Sequence, residues 1–362
     1  MKKLFFIAFI LVLILGCTEK RSEDTIKIGA VLPLTGTAAV YGENAQKGID
    51  LAVKEINAKG GINGKLLQII YEDDGTEPIK SVTSVKKLTE IDGVKIIIGG
   101  VWDFLANAII PEIDRQKVIL ISTSALPDTV TEKSPYFYVF HSPVAVNQGV
   151  FEQWLKQLPG KNVAALVVNN PWGLAHLATF KKAAEATSVT LVEQRIVQNF
   201  DGNDLSTDIA IINGKKPDGI FATLNFNDLL MLSQKRKELN IQTPFLVHEN
   251  FANLLTSGKI KPSGAEGITV FAFSQPASDF IEKFKQAYGE PPAFVGDIAY
   301  DIVYALKDAM KEGESVEAIQ QGLKKIDFSG ASGRIQLEDH YYPNNRKPYL
   351  EKVIDGKLEL IS

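Results

Sequence analysis

The chemistry-bearing residues of this 362-residue chain are few and scattered. Histidines stand at positions 141, 176, 248 and 340, and no two have metal-ligand spacing. His248-Glu249 is not followed by the second histidine of a zinc helix, and no G-x-S-x-G elbow presents a nucleophilic serine. The run Gly60-Gly61-Ile62-Asn63-Gly64-Lys65 is one residue short of a phosphate loop and follows a helical stretch instead of preceding one, so it reads as a turn. No catalytic set, cofactor or metal site is expected. By elimination the chain is a binder, not an enzyme.

Ile26 to Asp74 sets the plan of the elements. IKIGAVL has the size of a buried strand, and Ala45, Ile49, Ala52, Val53 and Ile56 recur on one face of a helix. Gly60-Gly61 end that helix, and LLQIIYEDD is a second strand. A strand–helix–strand unit of this length implies parallel strands and a right-handed crossover. Between the first strand and the helix lies PLTGTAAVYG, longer than a bare connection needs. Loops at the carboxyl ends of parallel strands are where open sheets bind ligands.

Strands and helices go on alternating to about residue 247, as two doubly wound α/β lobes would require. A closed ring of eight βα units is the alternative. The last third breaks the rhythm with a strong amphipathic helix at Val295–Lys311, a short helix at Val316–Lys324, and strands at Arg334–Leu337 and Tyr349–Ile354. No Pro- or Ser-rich linker separates the series, so the chain is expected to pass between lobes more than once.

Composition is that of a globular protein, 45% hydrophobic and 23% charged, and the length suggests two domains. A formal charge of −4 without a basic block argues against a nucleic-acid partner. Met1-Lys2-Lys3 precedes an apolar run, Leu4–Gly16, right for a signal-peptide core. Ile14-Leu15-Gly16-Cys17 resembles the bacterial lipobox, and Cys17 is the only cysteine. Residues 1–17 thus read as a lipoprotein signal with lipid attachment at Cys17, and 18–25 as a polar tether. The expected location is outside the cytoplasmic membrane, lipid-anchored. A plain secretory signal, or an uncleaved anchor, with an incidental cysteine is the other reading.

Ile28-Gly29-Ala30-Val31-Leu32-Pro33-Leu34-Thr35-Gly36, Tyr41-Gly42, Glu55 to Gly64 and Tyr71-Glu72-Asp73-Asp74 resemble the leucine/isoleucine/valine-binding proteins of ABC importers. The resemblance runs on through Ile96–Gly100, Leu120–Ser122, Ala299–Ala305 and Gly330–Ile335. It implies the type I periplasmic-binding-protein fold, α/β with two doubly wound parallel-sheet lobes joined by three hinge crossovers that close on ligand. It implies lobe 1 from 26–140 plus 274–328, and lobe 2 from 141–273 plus 329–362. It also implies a monomer that captures an amino acid or close analogue and delivers it to an ABC permease.

On that resemblance Glu249 takes the ligand ammonium by a charge-assisted bond. Tyr41 matches the family's loop tyrosine, Trp172 stands where a tyrosine is usual, and Asn225 and Phe226 fall at another aromatic contact position. Each aromatic could equally be ordinary packing. The carboxylate side departs from the family. Trp102-Asp103-Phe104 replace a serine-rich run, and Ser124-Ala125 keep a polar loop without the matching threonine. Asp103 either caps its own helix or faces the cleft. In the cleft, two like charges ~4 Å apart at an effective dielectric near 20 repel by roughly 4 kcal/mol, about a thousandfold in affinity. That would exclude an α-carboxylate and favour an amine, amide, polyol or aromatic ligand. A sensory receptor of the same fold is the alternative function, and a secreted hydrolase is disfavoured by the missing catalytic set.

Overall fold

The strands are short runs rich in Ile, Val, Leu and Phe, many of them buried on both faces, which is the signature of parallel sheets covered by helices. The computed structural model describes residues 25–124, 126, 128–198, 202–273, 275–293, 295–336 and 347–361. The expected signal segment, Cys17, most of the tether, Ala125 and His340 lie outside the described residues.

In the first lobe β1 (Thr25–Leu32), β2 (Leu66–Asp73), β3 (Ile96–Gly99), β4 (Ile119–Ser122) and β5 (Phe137–Val139) pair in the order β2-β1-β3-β4-β5. All four pairings are parallel. Side chains alternate across the sheet: Ile28, Ala30, Leu32, Ile96 and Ile98 enter one core, and Val31 and Ile97 the other. The strand order reverses direction at β1 and β3, so a crevice opens outside their carboxyl ends.

The second lobe is built likewise from β6 (Asn162–Val168), β7 (Thr190–Val197), β8 (Gly219–Thr223), β9 (Phe245–His248) and β10 (Thr269–Phe273), all parallel. Its switch point lies between β6 and β8. Two late strands, β13 (Pro348–Ile354) and β14 (Lys357–Leu360), extend it antiparallel beside β10, giving the order β14-β13-β10-β9-β8-β6-β7. Ala164, Leu166 and Val168 face one core while Val163, Ala165 and Val167 face the other.

The chain leaves the first lobe after β5, returns after β10, and leaves again after β12 of a hairpin formed by β11 (Asp327–Gly330) and β12 (Gly333–Gln336). The return is driven by the helix Gly296–Ala309, whose Ile298, Ile302, Val303 and Leu306 are buried in the first core. Each such side chain contributes about 1.5–3 kcal/mol on burial. This helix lies against Ala39–Ala58 so closely that a Cβ at Gly48 would sit 1.9 Å from the Gly296 carbonyl oxygen. Glycine is required there by contact, not by backbone conformation.

Ala331 and Ile335 of the hairpin are buried in the first core. Strands β11 and β14 were not expected from the sequence, since both are short edge strands with exposed, mixed side chains.

Candidate functional site

Both crevices face each other, and between them lies a cavity of about 740 Å³ lined from both lobes. That size suits a small-molecule ligand. The lining residues sit where the strands end. Trp102, Asp103 and Phe104 follow β3, and Ser124 follows β4. Across the cleft Trp172 follows β6, Asn225 and Phe226 follow β8, and Glu249 follows β9. Tyr41 comes from the first turn of the helix Ala39–Ala58. Of the expected ligand-binding residues, all but the undescribed Ala125 meet in this one cavity.

Four aromatic rings form a chain across it. Phe104 and Trp102 have ring centroids 5.9 Å apart, Trp102 meets Tyr41 edge-on at 5.9 Å, and Tyr41 meets Phe226 of the other lobe at 5.8 Å. Trp102 carries a positive φ of 69° with ψ 152°, a conformation that costs about 1–3 kcal/mol for a side chain of this kind. Its N–H donates to Ser124 Oγ at 3.2 Å, which helps hold the strained turn.

Tyr41 Oη donates to Asn250 Oδ1 at 2.7 Å, joining the lobes directly. Burial raises the Tyr41 hydroxyl well above the ordinary phenol range, the Glu249 charge raises it further, and the Asn250 bond opposes both. The hydroxyl is therefore a donor at any physiological pH.

Asp103 reaches across the cleft from the start of its own helix. It is the first residue of the helix Asp103–Gln116 and is 3% exposed. Its Oδ2 accepts the Trp172 N–H of the other lobe at 3.0 Å. Trp172 lies in the first turn of the helix Pro171–Ala186, which starts on a proline and is capped by Asn170 accepting from the Gly173 N–H at 2.7 Å. One carboxylate thus serves two helix N-termini, where the dipoles favour negative charge. Burial raises its pKa, and the backbone donors only partly offset that.

Glu249 is the residue before the helix Asn250–Thr256 and lines the cavity. Glu351 and Tyr349, from β13, close the same side. Burial pushes Glu351 up from the usual carboxylate range, and its bond with Tyr349 opposes this. The Tyr349 hydroxyl is raised by burial first and then by Glu351, with Glu249 adding to it.

Two of the three described histidines, far apart in sequence, converge beside Trp172, and the third, His141, lies near enough to both to act on them electrostatically. The Trp172 ring lies 4.8 Å from His176 and 5.1 Å from His248, and the two imidazoles are 5.8 Å apart. His176 Nδ1 bonds the Trp172 carbonyl at 3.0 Å, and burial lowers its pKa to about 4. Burial also holds His248 well below the usual range. His141, at the first crossing, meets Phe273 edge-on at 5.5 Å. Among the described residues no cluster of His, Cys, Asp or Glu has the arrangement of a metal site.

Sequence reasoning missed Asn250, His141, His248, Tyr349 and Glu351. Asn250 and His248 flank Glu249, so the same strand-end argument would have found them. Tyr349 and Glu351 gave no such signal, because they lie within an antiparallel strand and not after one.

The sequence profile of the family described as "Periplasmic binding protein" matches residues 25–357. A leucine-, isoleucine-, valine-, threonine- and alanine-binding protein of Pseudomonas aeruginosa is 24% identical over 335 residues, covering 88% of this chain and 87% of its own. The structure of a branched-chain amino acid transporter substrate-binding protein from Streptococcus pneumoniae, in complex with isoleucine, superposes with a TM-score of 0.82 at 23% identity, over 93% of this chain and 98% of that one. An ABC-transporter solute-binding protein from Rhodopseudomonas palustris, in complex with 3,4-dihydroxybenzoic acid, gives a TM-score of 0.81 at 23% identity, over 94% and 96%.

Proposed function

The chain belongs to the periplasmic binding protein family of ABC-type transporters, which bind solutes outside the cytoplasm and are not enzymes, and from that premise we propose that it captures a small amine-bearing solute, an amino acid or close analogue, between its lobes for delivery to a permease. Glu249 receives the ammonium, and Tyr41, Trp102, Phe104, Trp172 and Phe226 enclose the apolar body, with Ser124 and Asn225 as polar contacts. The observation that carries this reading is the meeting of these residues, from six separate strand and helix ends of two lobes, in one cavity. Closure brings Tyr41 to Asn250 and Asp103 to Trp172, so capture and shape are coupled. The closed shape is what a permease would recognise.

The chain is further proposed to be a monomer held at the membrane by lipid on Cys17. Several acyl chains, at about 0.8 kcal/mol per buried methylene, would make that attachment long-lived. Cys17→Ala should release the protein from the membrane fraction, and its retention there would remove the anchor.

A thermal-shift panel tests capture. A ligand at about 100 times its Kd stabilises the folded state by about 2.7 kcal/mol, an easily read shift. Responses among amino acids or their amine analogues are expected. A panel in which only sugars or metals respond would refute the reading.

A further inference from the structure

We infer that the ligand of this cleft is an organic cation, a protonated amine on an apolar or aromatic body, and that it carries no carboxylate. The inference rests on the capture reading above and narrows it to one ligand class.

Helix N-termini are the natural anion sites of such a cleft. Here the protein's own acids stand beside them. Asp103, the first residue of its own helix, accepts the Trp172 N–H through Oδ2 at 3.0 Å and so stands at the starts of two helices that face each other across the cavity. The helix Phe226–Glu238 carries Asp228 in its first turn, and the helix Asn250–Thr256 begins directly after Glu249. The Ser124 N–H, a further donor in this region, is bonded to Ser122 Oγ. An incoming carboxylate would compete with a buried carboxylate that is already in place.

Charge points the same way. The described lining residues include the carboxylates Asp103, Glu249 and Glu351 and neither lysine nor arginine. Like charges brought together in a closed site cost several kilocalories, whereas opposite ones favour binding. The walls suit a cation for a second reason. Trp102, Tyr41 and Phe226 form a continuous aromatic surface, and a cation over such a ring face is attracted by its quadrupole. A neutral polyol would use the acids but leave this apolar surface without a partner.

The test compares matched triplets by isothermal titration calorimetry and thermal shift on the full chain. Phenethylamine, phenylalanine and phenylacetate form one triplet; 3-methylbutylamine, leucine and 4-methylpentanoate form the other. Each amine should bind at least about tenfold more tightly than its amino acid, and the carboxylates should give no shift. An amino acid or carboxylate that binds as tightly as its amine overturns the inference while leaving capture of an amine analogue or amino acid standing. Silence from all six overturns the inference and removes the amine-bearing class with it. Asp103→Asn, checked for an unchanged fold by circular dichroism, should narrow the amine-to-amino-acid ratio by about tenfold or more if the Asp103 charge sets it. A ratio unchanged in a folded variant overturns the role given to Asp103.

Discussion

The Asp103 carboxylate and the Trp172 main-chain N–H, 69 residues apart in sequence and in different lobes, are joined by a 3.0 Å hydrogen bond. A helix-start aspartate ordinarily turns back on its own first turn. Here its Oδ2 reaches the start of a second helix instead, so a residue at the start of one helix bridges the cleft. Together with Tyr41–Asn250 it makes two polar bridges over an aromatic seam.

The Tyr41–Asn250 bridge gives the first prediction. A net hydrogen bond of this kind is worth about 0.5–1.5 kcal/mol. Tyr41→Phe should weaken ligand affinity by about twofold to tenfold while leaving urea unfolding of the lobes nearly unchanged, because the ring keeps its contacts with Trp102 and Phe226. A double-mutant cycle with Asn250→Ala, read in ligand affinity, should give a coupling of about 1 kcal/mol. Strict additivity would show that the bond is not part of the ligand-bound state.

Glu249 is expected to carry the ammonium. Glu249→Ala should weaken an amine ligand by about 2–5 kcal/mol, since the buried partner charge then goes unpaired. The thermal midpoint without ligand should stay within a few degrees, as the residue sits at a helix start and not in a core. Unchanged affinity for an amine ligand would place Glu249 outside the contact set.

The buried histidines predict an acid-side loss of stability. His176 takes a proton in the unfolded chain near pH 6.5, but in the folded state not until about pH 4. Stability from this group is therefore complete above pH 6.5 and falls as pH drops through that window, by about 3 kcal/mol at most. The groups facing it are His248, the Trp172 carbonyl, Asn147 and the more distant His141. His248 is depressed in the same direction, so it adds to the slope. Urea midpoints measured from pH 7.5 to 4.5 should decline more steeply for the native chain than for His176→Phe. Parallel curves would mean that His176 is not held neutral by burial.

Asp301 pins the hairpin that leads out of the first lobe. It is fully buried and accepts hydrogen bonds from the Ala331 and Ser332 N–H groups at 2.7 Å each and from Ser332 Oγ at 2.6 Å. Asp301→Ala leaves those donors buried without a partner, a loss of about 2–4 kcal/mol. Chemical denaturation should show that drop, and hydrogen exchange should rise first in residues 327–336. Exchange that rises evenly over the whole first lobe would argue against a local role.

The residues around Asp103 and Glu249 were legible because of where strands end. A buried parallel strand has a fixed length and its carboxyl end must emerge at a crevice, so hydrophobic runs mark the loops that carry Trp102–Phe104, Ser124, Trp172, Asn225-Phe226 and Glu249, and the family resemblance singled out those residues within them. The βα alternation and the two lobes follow from the same local periodicity, which depends on neighbours a few residues away.

Contacts between distant segments were not legible. The sequence shows histidines at 141, 176 and 248 without ligand spacing; only the packing of β9 and the Pro171–Ala186 helix brings His176 and His248 beside Trp172, with His141 of the first crossing close to both. It offers Asp103 a cap or a cleft, and tertiary structure turned it to the cleft, because the start of the facing helix lies within hydrogen-bond reach of its carboxylate. Sequence alone determined the kind of protein, since secondary structure answers to local pattern. Which charge a ligand would meet was decided by distances across the cleft, and no spacing along the chain encodes those.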